Sequence, residues 1–134
     1  MDIRPKVYDN ITKKYVLLDS GSCVSCSPAG PDDILDPSFK LRSVNGGEIN
    51  TYGVRKMTLR LGRKEYSIDA VIAAVPAPIF GWDIFQKYRL SIDWNDEGQL
   101  VLKDKKAQIS SVLNHELFRA GSIPRIQDAN SEDF

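Results

Sequence analysis

The sequence predicts an all-β domain with one short helix and a C-terminal extension. Three observations predict it. Short apolar or alternating runs recur from Val7 to Val101, each closed by a Gly, Pro or Asn cluster, which is the punctuation of strands and turns. Helical spacing of apolar residues is confined to two places, Ile84-Phe85-Tyr88 and Ile109-Val112-Leu113-Leu117. The length of 134 residues fits one domain with a modest core.

In order, Ile3 to Asp9 reads as a first strand and Tyr15 to Asp19 as a second. The polar Asn10–Lys14 between them makes a hairpin turn. Tyr15-Val16-Leu17-Leu18 is continuously apolar, the mark of a strand buried on both faces. Val24 to Ser27 continues as a strand. Pro28 to Pro37, with its prolines and aspartates, cannot hold a regular ladder and reads as a surface loop. Phe39 to Val44 largely alternates, as a half-buried strand does. Asn45-Gly46-Gly47 then joins it to Glu48–Tyr52, a hairpin signal in which both Asn and Gly take positive φ. Gly53 breaks the pattern. Val54–Leu61 and Tyr66–Val75 form a long hairpin about Gly62–Glu65, with Met57, Leu59 and Leu61 on one face. Val75-Pro76-Ala77-Pro78 lacks two backbone donors and must be irregular or at an edge. Ile79-Phe80-Gly81 leads into a helix from Trp82 or Asp83 to Arg89. Leu90–Trp94 and Gln99–Lys103 close the body with a hairpin over Asn95–Gly98. The body is thus residues 1–103 and the extension 104–134. In the extension a helix over Ile109–Ala120 is expected, stopped by Gly121, followed by a flexible, polar and acidic tail from Ser122.

One stretch resists a purely structural account. The strand Tyr15–Leu18 ends on Asp19-Ser20-Gly21-Ser22. A carboxylate at the end of a buried strand costs free energy unless it is hydrogen-bonded, and Gly21 allows a sharp turn or a ligand's close approach. Taken alone, Asp-Ser-Gly reads equally well as an Asx-type turn. Cys23 and Cys26 follow with a C-x-x-C spacing. They are compatible with a redox pair, with half of a zinc site whose other ligands come from another subunit, or with two small residues packed behind the loop in a reducing compartment. His115 is the one histidine and lies far along the chain.

The order of Arg4-Pro5-Lys6-Val7-Tyr8-Asp9, Tyr15 to Ser22, Asn45-Gly46-Gly47 and Pro78-Ile79-Phe80-Gly81-Trp82-Asp83 resembles the retroviral and retrotransposon aspartic proteases (retropepsins), most like those of gypsy-type elements. The resemblance spans about residues 4–103 and rests on Asp-Ser-Gly combined with the later Ile-Phe-Gly. It implies a closed β-barrel with one short helix, active as a homodimer and cut from a polyprotein in the cytoplasm, within a retroelement particle. It implies Asp19, Ser20 and Gly21 as the catalytic motif, with the Ser20 hydroxyl bonding across the dimer axis in place of the usual Thr. It implies Val44, Asn45, Gly46, Gly47, Glu48 and Ile49 as a mobile flap, and Ala77 and Ile79 as linings of the side-chain pockets. Ser22 counts with the substrate-binding residues; beside Asp19, its hydroxyl either donates to the outer carboxylate oxygen or caps the turn. Two departures stand out. Cys23 replaces an acid and Trp82 replaces an Arg of the best-known viral members. Their Asp–Arg pair is absent, which leaves the Leu90–Lys103 hairpin and the Ile109–Ala120 segment to hold the interface.

The chemistry implied is peptide hydrolysis by water. Two adjacent carboxylates share one proton because like charges cannot both ionise, so one acts as base and the other as acid, as is general for aspartic proteases. Asp-Ser/Thr-Gly occurs once in 134 residues. One copy per chain implies one Asp19 from each of two subunits about a twofold axis. The substrate is expected to be a peptide or polyprotein, with apolar residues beside the cut bond and no cofactor or metal. The alternative is a catalytically silent dimerisation or binding module with the same fold. Lys+Arg and Asp+Glu are both 18, so nothing in the charge points to nucleic acid or an anionic membrane surface. No apolar stretch approaches a membrane span, and no secretory signal is read ahead of the first strand.

Overall fold

The computed structural model describes residues 5–113 and 126–131. The chain begins with a hairpin, β1 (Lys6–Asp9) against β2 (Lys14–Leu18), with Val7 opposite Val16. The expected start at Ile3 lies outside the described residues. After β3 (Cys26–Pro28) come β4 (Asp36–Ser43), β5 (Glu48–Leu61) and β6 (Lys64–Ala73). The short β7 (Ile79–Phe80) leads into α1 (Trp82–Tyr88), then β8 (Leu90–Trp94), β9 (Leu100–Asp104), β10 (Ile109–Val112) and β11 (Ile126–Ser131). Among the described residues the strands form an eight-stranded sheet, ordered β1-β2-β7-β3-β6-β5-β4-β11, and a three-stranded sheet, β10-β9-β8. The all-β class with one short helix is therefore seen.

Strand β2 shows why Val16-Leu17-Leu18 is continuously apolar, while Tyr15, expected to be buried with them, is 47 % exposed. It is paired on both sides, with β1 and, in parallel, with β7. It also feeds two cores. Val16 and Leu18 enter a cluster with Leu59, Tyr66, Phe80 and Ile84, while Leu17 enters a second with Cys26, Leu41, Ile49 and Ile79. Burying each such aliphatic or aromatic side chain contributes about 1.5–3 kcal/mol. Helix α1 puts Ile84 and Phe85 into the first core. It stops at Arg89, whose backbone is left-handed (φ 53°) and whose amide caps the Gln86 and Phe85 carbonyls.

The structure corrects several expectations. Among the described residues the sheet does not close into a barrel: β1 and β11 are its two edges and do not pair with each other. Closure is limited to one corner. There Asn10 N donates to Arg60 O (3.1 Å), and the buried Asp9 carboxylate accepts from Arg60 N (2.9 Å), Ile11 N and the Thr12 amide and hydroxyl. A side chain does there what a strand ladder would do in a barrel. Gly53 does not end a strand. With φ 96° it carries β5 through a bulge, where the register with β6 shifts between Thr51 and Val54. The strand expected over Val24–Ser27 is displaced to Cys26–Pro28, and the loop from Pro28 ends earlier than expected, because Asp36 already starts β4.

The C-terminal extension differs most. Ile109–Val112 is a strand, not the start of a helix. It pairs with β9, Ile109 opposite Asp104 and Val112 opposite Val101, because the free edge of β9 offers backbone partners that an isolated helix turn cannot match. The remainder of the expected helix, 114–120, and the expected stop at Gly121 lie outside the described residues. The tail expected to be flexible contains β11, which runs antiparallel to β4 with Ile126 opposite Ser43 and Ser131 opposite Phe39.

Candidate active site

The Asp19 loop hangs between two strands that fix both of its ends. At its start, Asp19 N donates to Phe80 O (2.9 Å) and Leu17 N to Pro78 O (3.1 Å), continuing the β2–β7 pairing past the strand end. Ser22 N then donates to Asp19 O (3.0 Å), which closes the turn. Asp19 is 4 % exposed. Gly21 N donates to its Oδ1 (3.0 Å) and Ser22 Oγ to its Oδ2 (3.2 Å). A buried carboxylate with donors on both oxygens satisfies the condition under which such burial is tolerated. Ser20 and Gly21 face solvent, while Ser22 is buried.

The far side of the loop is locked by residues that the sequence reading did not assign. Asp83 Oδ2 accepts from Ser25 N (2.9 Å) and its Oδ1 from the Ser25 hydroxyl (2.6 Å). The same hydroxyl accepts from Gly81 N (2.9 Å), and Trp82 N donates to Ser22 O (2.7 Å). Gly81 is needed at this crossing. A Cβ there would lie 2.4 Å from Val24 O and 2.9 Å from Ser22 O, closer than atoms can approach without displacement. Its role does not depend on φ, which is an unremarkable −95°. The signal for Asp83 was its place in the first turn of a helix directly after a Gly, where an acid complements the helix end. The signal for Ser25 was weaker, since nothing local marks it.

The Val44–Gly47 turn caps the β4–β5 hairpin and is exposed, as is Glu48. It is held locally: Ser43 N donates to Gly47 O (2.9 Å), Gly46 N to Ser43 O (2.9 Å), and the Ser43 hydroxyl bonds Asn45 Oδ1. Gly46 adopts φ 90°, but Asn45 does not take positive φ. The turn is thus longer than the two-residue Asn-Gly hairpin expected, with Val44 and Gly47 taking part. Ile49, Ala77 and Ile79 do come together, in the second core beside the Asp19 loop; Ile79 is fully buried and Ala77 partly so. A separate cleft of about 420 Å³ is lined by Tyr15, Ser27 and Pro76–Pro78, among others, and shares only Ala77 with the predicted site.

Cys26 sits in the second core, opposite Val71 and Ile79. Burial pushes its thiol up to about 12, with the charges of Asp83 and Cys23 adding to the effect, so it stays a neutral thiol at physiological pH. Cys23 is half-buried, and no disulfide joins the two. Among the described residues no three His, Cys, Asp or Glu side chains cluster as a metal site requires; His115 lies outside them. Among the same residues no helix is long and apolar enough to cross a membrane.

Comparison with protein-family models and with curated proteins returns no match. The residues and their geometry therefore carry the functional reading.

Proposed function

We propose that this chain is the half-site of a homodimeric aspartic endopeptidase of the retropepsin type, in which Asp19 from each of two subunits activates water against a peptide bond. The observation that carries the reading is the state of Asp19. It is buried at a strand end, accepts hydrogen bonds on both oxygens, and belongs to a loop clamped to the β7–α1 corner by Ser25 and Asp83. A structural Asx turn needs neither the burial nor the clamp. Catalysis needs both, because general acid–base groups must be held in a fixed geometry.

In the proposed dimer the exposed Ser20 and Gly21 face the twofold axis. Trp82, 51 % exposed and bonded through its amide to Ser22 O, offers an apolar contact where an Asp–Arg pair is missing. The shared proton lets one Asp19 take a proton from water while the other gives one to the carbonyl oxygen. An extended peptide or polyprotein segment adds as a strand between the β4–β5 hairpin and the body. The setting proposed is a retroelement particle in the cytoplasm.

The test is incubation of the full chain with a casein-like or polyprotein substrate at mildly acid pH, with and without a statine-type inhibitor, alongside Asp19→Asn. Asn is nearly isosteric but cannot serve as the shared acid and base. Cleavage that the inhibitor blocks, and that Asp19→Asn abolishes while the dimer survives, is the expected result. Undiminished turnover by Asp19→Asn sinks the reading.

A further inference from the structure

We infer that the chain's own segment Ile126–Ser131 occupies the place that an extended peptide takes in this site, with Ile126 as its anchoring side chain. The purpose of the groove rests on the protease reading above; its occupancy rests on geometry alone.

Strand β11 is bonded along one edge to β4 and, at Ile126 on the other, to the Asp19 loop. On one side it pairs antiparallel with β4, from Ile126 opposite Ser43 to Ser131 opposite Phe39. Ser43 spends its own amide on Gly47 O. Alternation along an antiparallel strand therefore turns the amides of Arg42 and Lys40 towards β11. On the other side β11 meets the Asp19 loop. Ile126 N donates to Ser22 Oγ (3.2 Å), and Cys23 N donates to Ile126 O (3.3 Å). Ser22 Oγ in turn donates to Asp19 Oδ2 (3.2 Å). Two hydrogen bonds thus separate the Ile126 peptide group from the carboxylate. The Ile126 side chain is fully buried and lies in the core that also holds Leu41, Ile49, Ala77 and Ile79.

This is how a groove holds any extended peptide: main-chain bonds to a strand edge supply affinity, and one apolar pocket supplies selectivity. The sequence Gln127-Asp128-Ala129-Asn130-Ser131 has poor strand propensity, so the strand forms because of the partners offered to it. A ligand peptide must therefore carry a medium-sized aliphatic residue at the anchor, and it must displace β11 to enter. Its apparent affinity is lowered by the fraction of chains in which β11 has left.

The test uses the full chain carrying Asp19→Asn, so that no peptide is consumed. The probe is a fluorescein-labelled peptide with the sequence of residues 124–132. Anisotropy should show binding at least about tenfold tighter when the chain also carries Ile126→Asp, which disables the internal competitor. The same peptide with Asp at its anchor should bind neither chain. Equal binding to the two chains overturns the inference and leaves β11 an ordinary edge strand. If Ile126→Asp fails to fold, Asn130→Pro replaces it: proline removes the amide opposite Lys40 and leaves Ile126 in place. In the chain without either change, saturating unlabelled peptide should speed hydrogen exchange in residues 126–131 while β4 stays protected; unchanged exchange in 126–131 also overturns it. None of these readouts involves turnover, so a chain that cuts nothing can still support the inference, and a protease can still refute it.

Discussion

Replacing Gly81 by Ala adds one methyl group where the chain crosses itself behind Asp19. The added carbon would stand 2.4 Å from Val24 O, 2.5 Å from Val24 C and 2.9 Å from Ser22 O. The nearest of these is roughly 1 Å inside van der Waals contact. Neither neighbour is a side-chain tip that can swing away. Ser22 O holds Trp82 N, and Ser25 is tied to Gly81 N and to both oxygens of Asp83. Relief requires the Gly81 and Val24 backbones to part, which strains those bonds. Overpacking of this kind costs about 1–3 kcal/mol, and a weakened hydrogen bond adds about 1 kcal/mol. The reduced freedom of Ala in the unfolded chain returns up to about 1 kcal/mol, since φ here is open to any residue. A net loss of about 1–4 kcal/mol is expected. The assay is urea unfolding at fixed protein concentration, read as a drop in midpoint with an unchanged slope. Gly30→Ala is the control. Its added carbon meets only Asp33 Oδ2, at 3.5 Å, so it should stay within about 0.5 kcal/mol of wild type. If Gly81→Ala is equally silent, the crossing relaxes freely and cannot be what holds Asp19 in place.

Asp83→Ala removes the acceptor of both Ser25 donors and should cost about 1–3 kcal/mol by leaving them unsatisfied; full stability in thermal unfolding would show that the clamp is dispensable. Stability should fall in acid. Burial raises the Asp104 carboxyl, but bonds from Lys64, Ala107 N and Tyr66 together with the Lys64 charge outweigh it, and Asp9 is likewise lowered by Thr12, Arg60 and Ile11 against burial. Groups whose folded pKa lies below the unfolded value of about 3.9 stabilise fully above it and lose that contribution as pH falls through the folded value. Urea midpoints against pH should therefore drop less steeply below pH ~4 in Asp104→Asn, which starts lower at neutral pH; parallel profiles exclude this group as a contributor. Specific activity should decline on dilution, because each site of the proposed dimer takes Asp19 from two chains; a sedimenting monomer that still cuts contradicts the half-site.

Where the local signal and the tertiary demand agreed, the sequence was readable. Val16–Leu18 is apolar because it is sandwiched, Ile84 and Phe85 share a helix face because one core receives them, and Asp19 stands out because a carboxylate has no business at the end of such a strand. The failures share a cause. Ile109-Ser110-Ser111-Val112 carries no strong strand pattern, and Gln127–Ser131 carries none; each is a strand because a neighbour's edge was open. Ser25 and Asp83 are 58 residues apart, and no window spans them. Barrel closure is implied only by the resemblance, and the carboxylate of Asp9, which replaces part of it, reads in the sequence as a turn residue.

That separation bears on the order of events during folding. The Asp19 loop takes its shape from Phe80 O, Gly81 and Asp83, all supplied from far downstream. The β1–β2 hairpin can form from local contacts, but the parallel pairing with β7 must first close a long loop, and such closures are slow. A nascent chain emerging from synthesis would thus carry its acidic residue through most of its length without a geometry in which to use it. Hydrolytic competence would arrive late and abruptly, once the segment from Ile79 to Asp83 docks. In the peptide-cutting enzyme proposed above, this sequence separation would act as a timer.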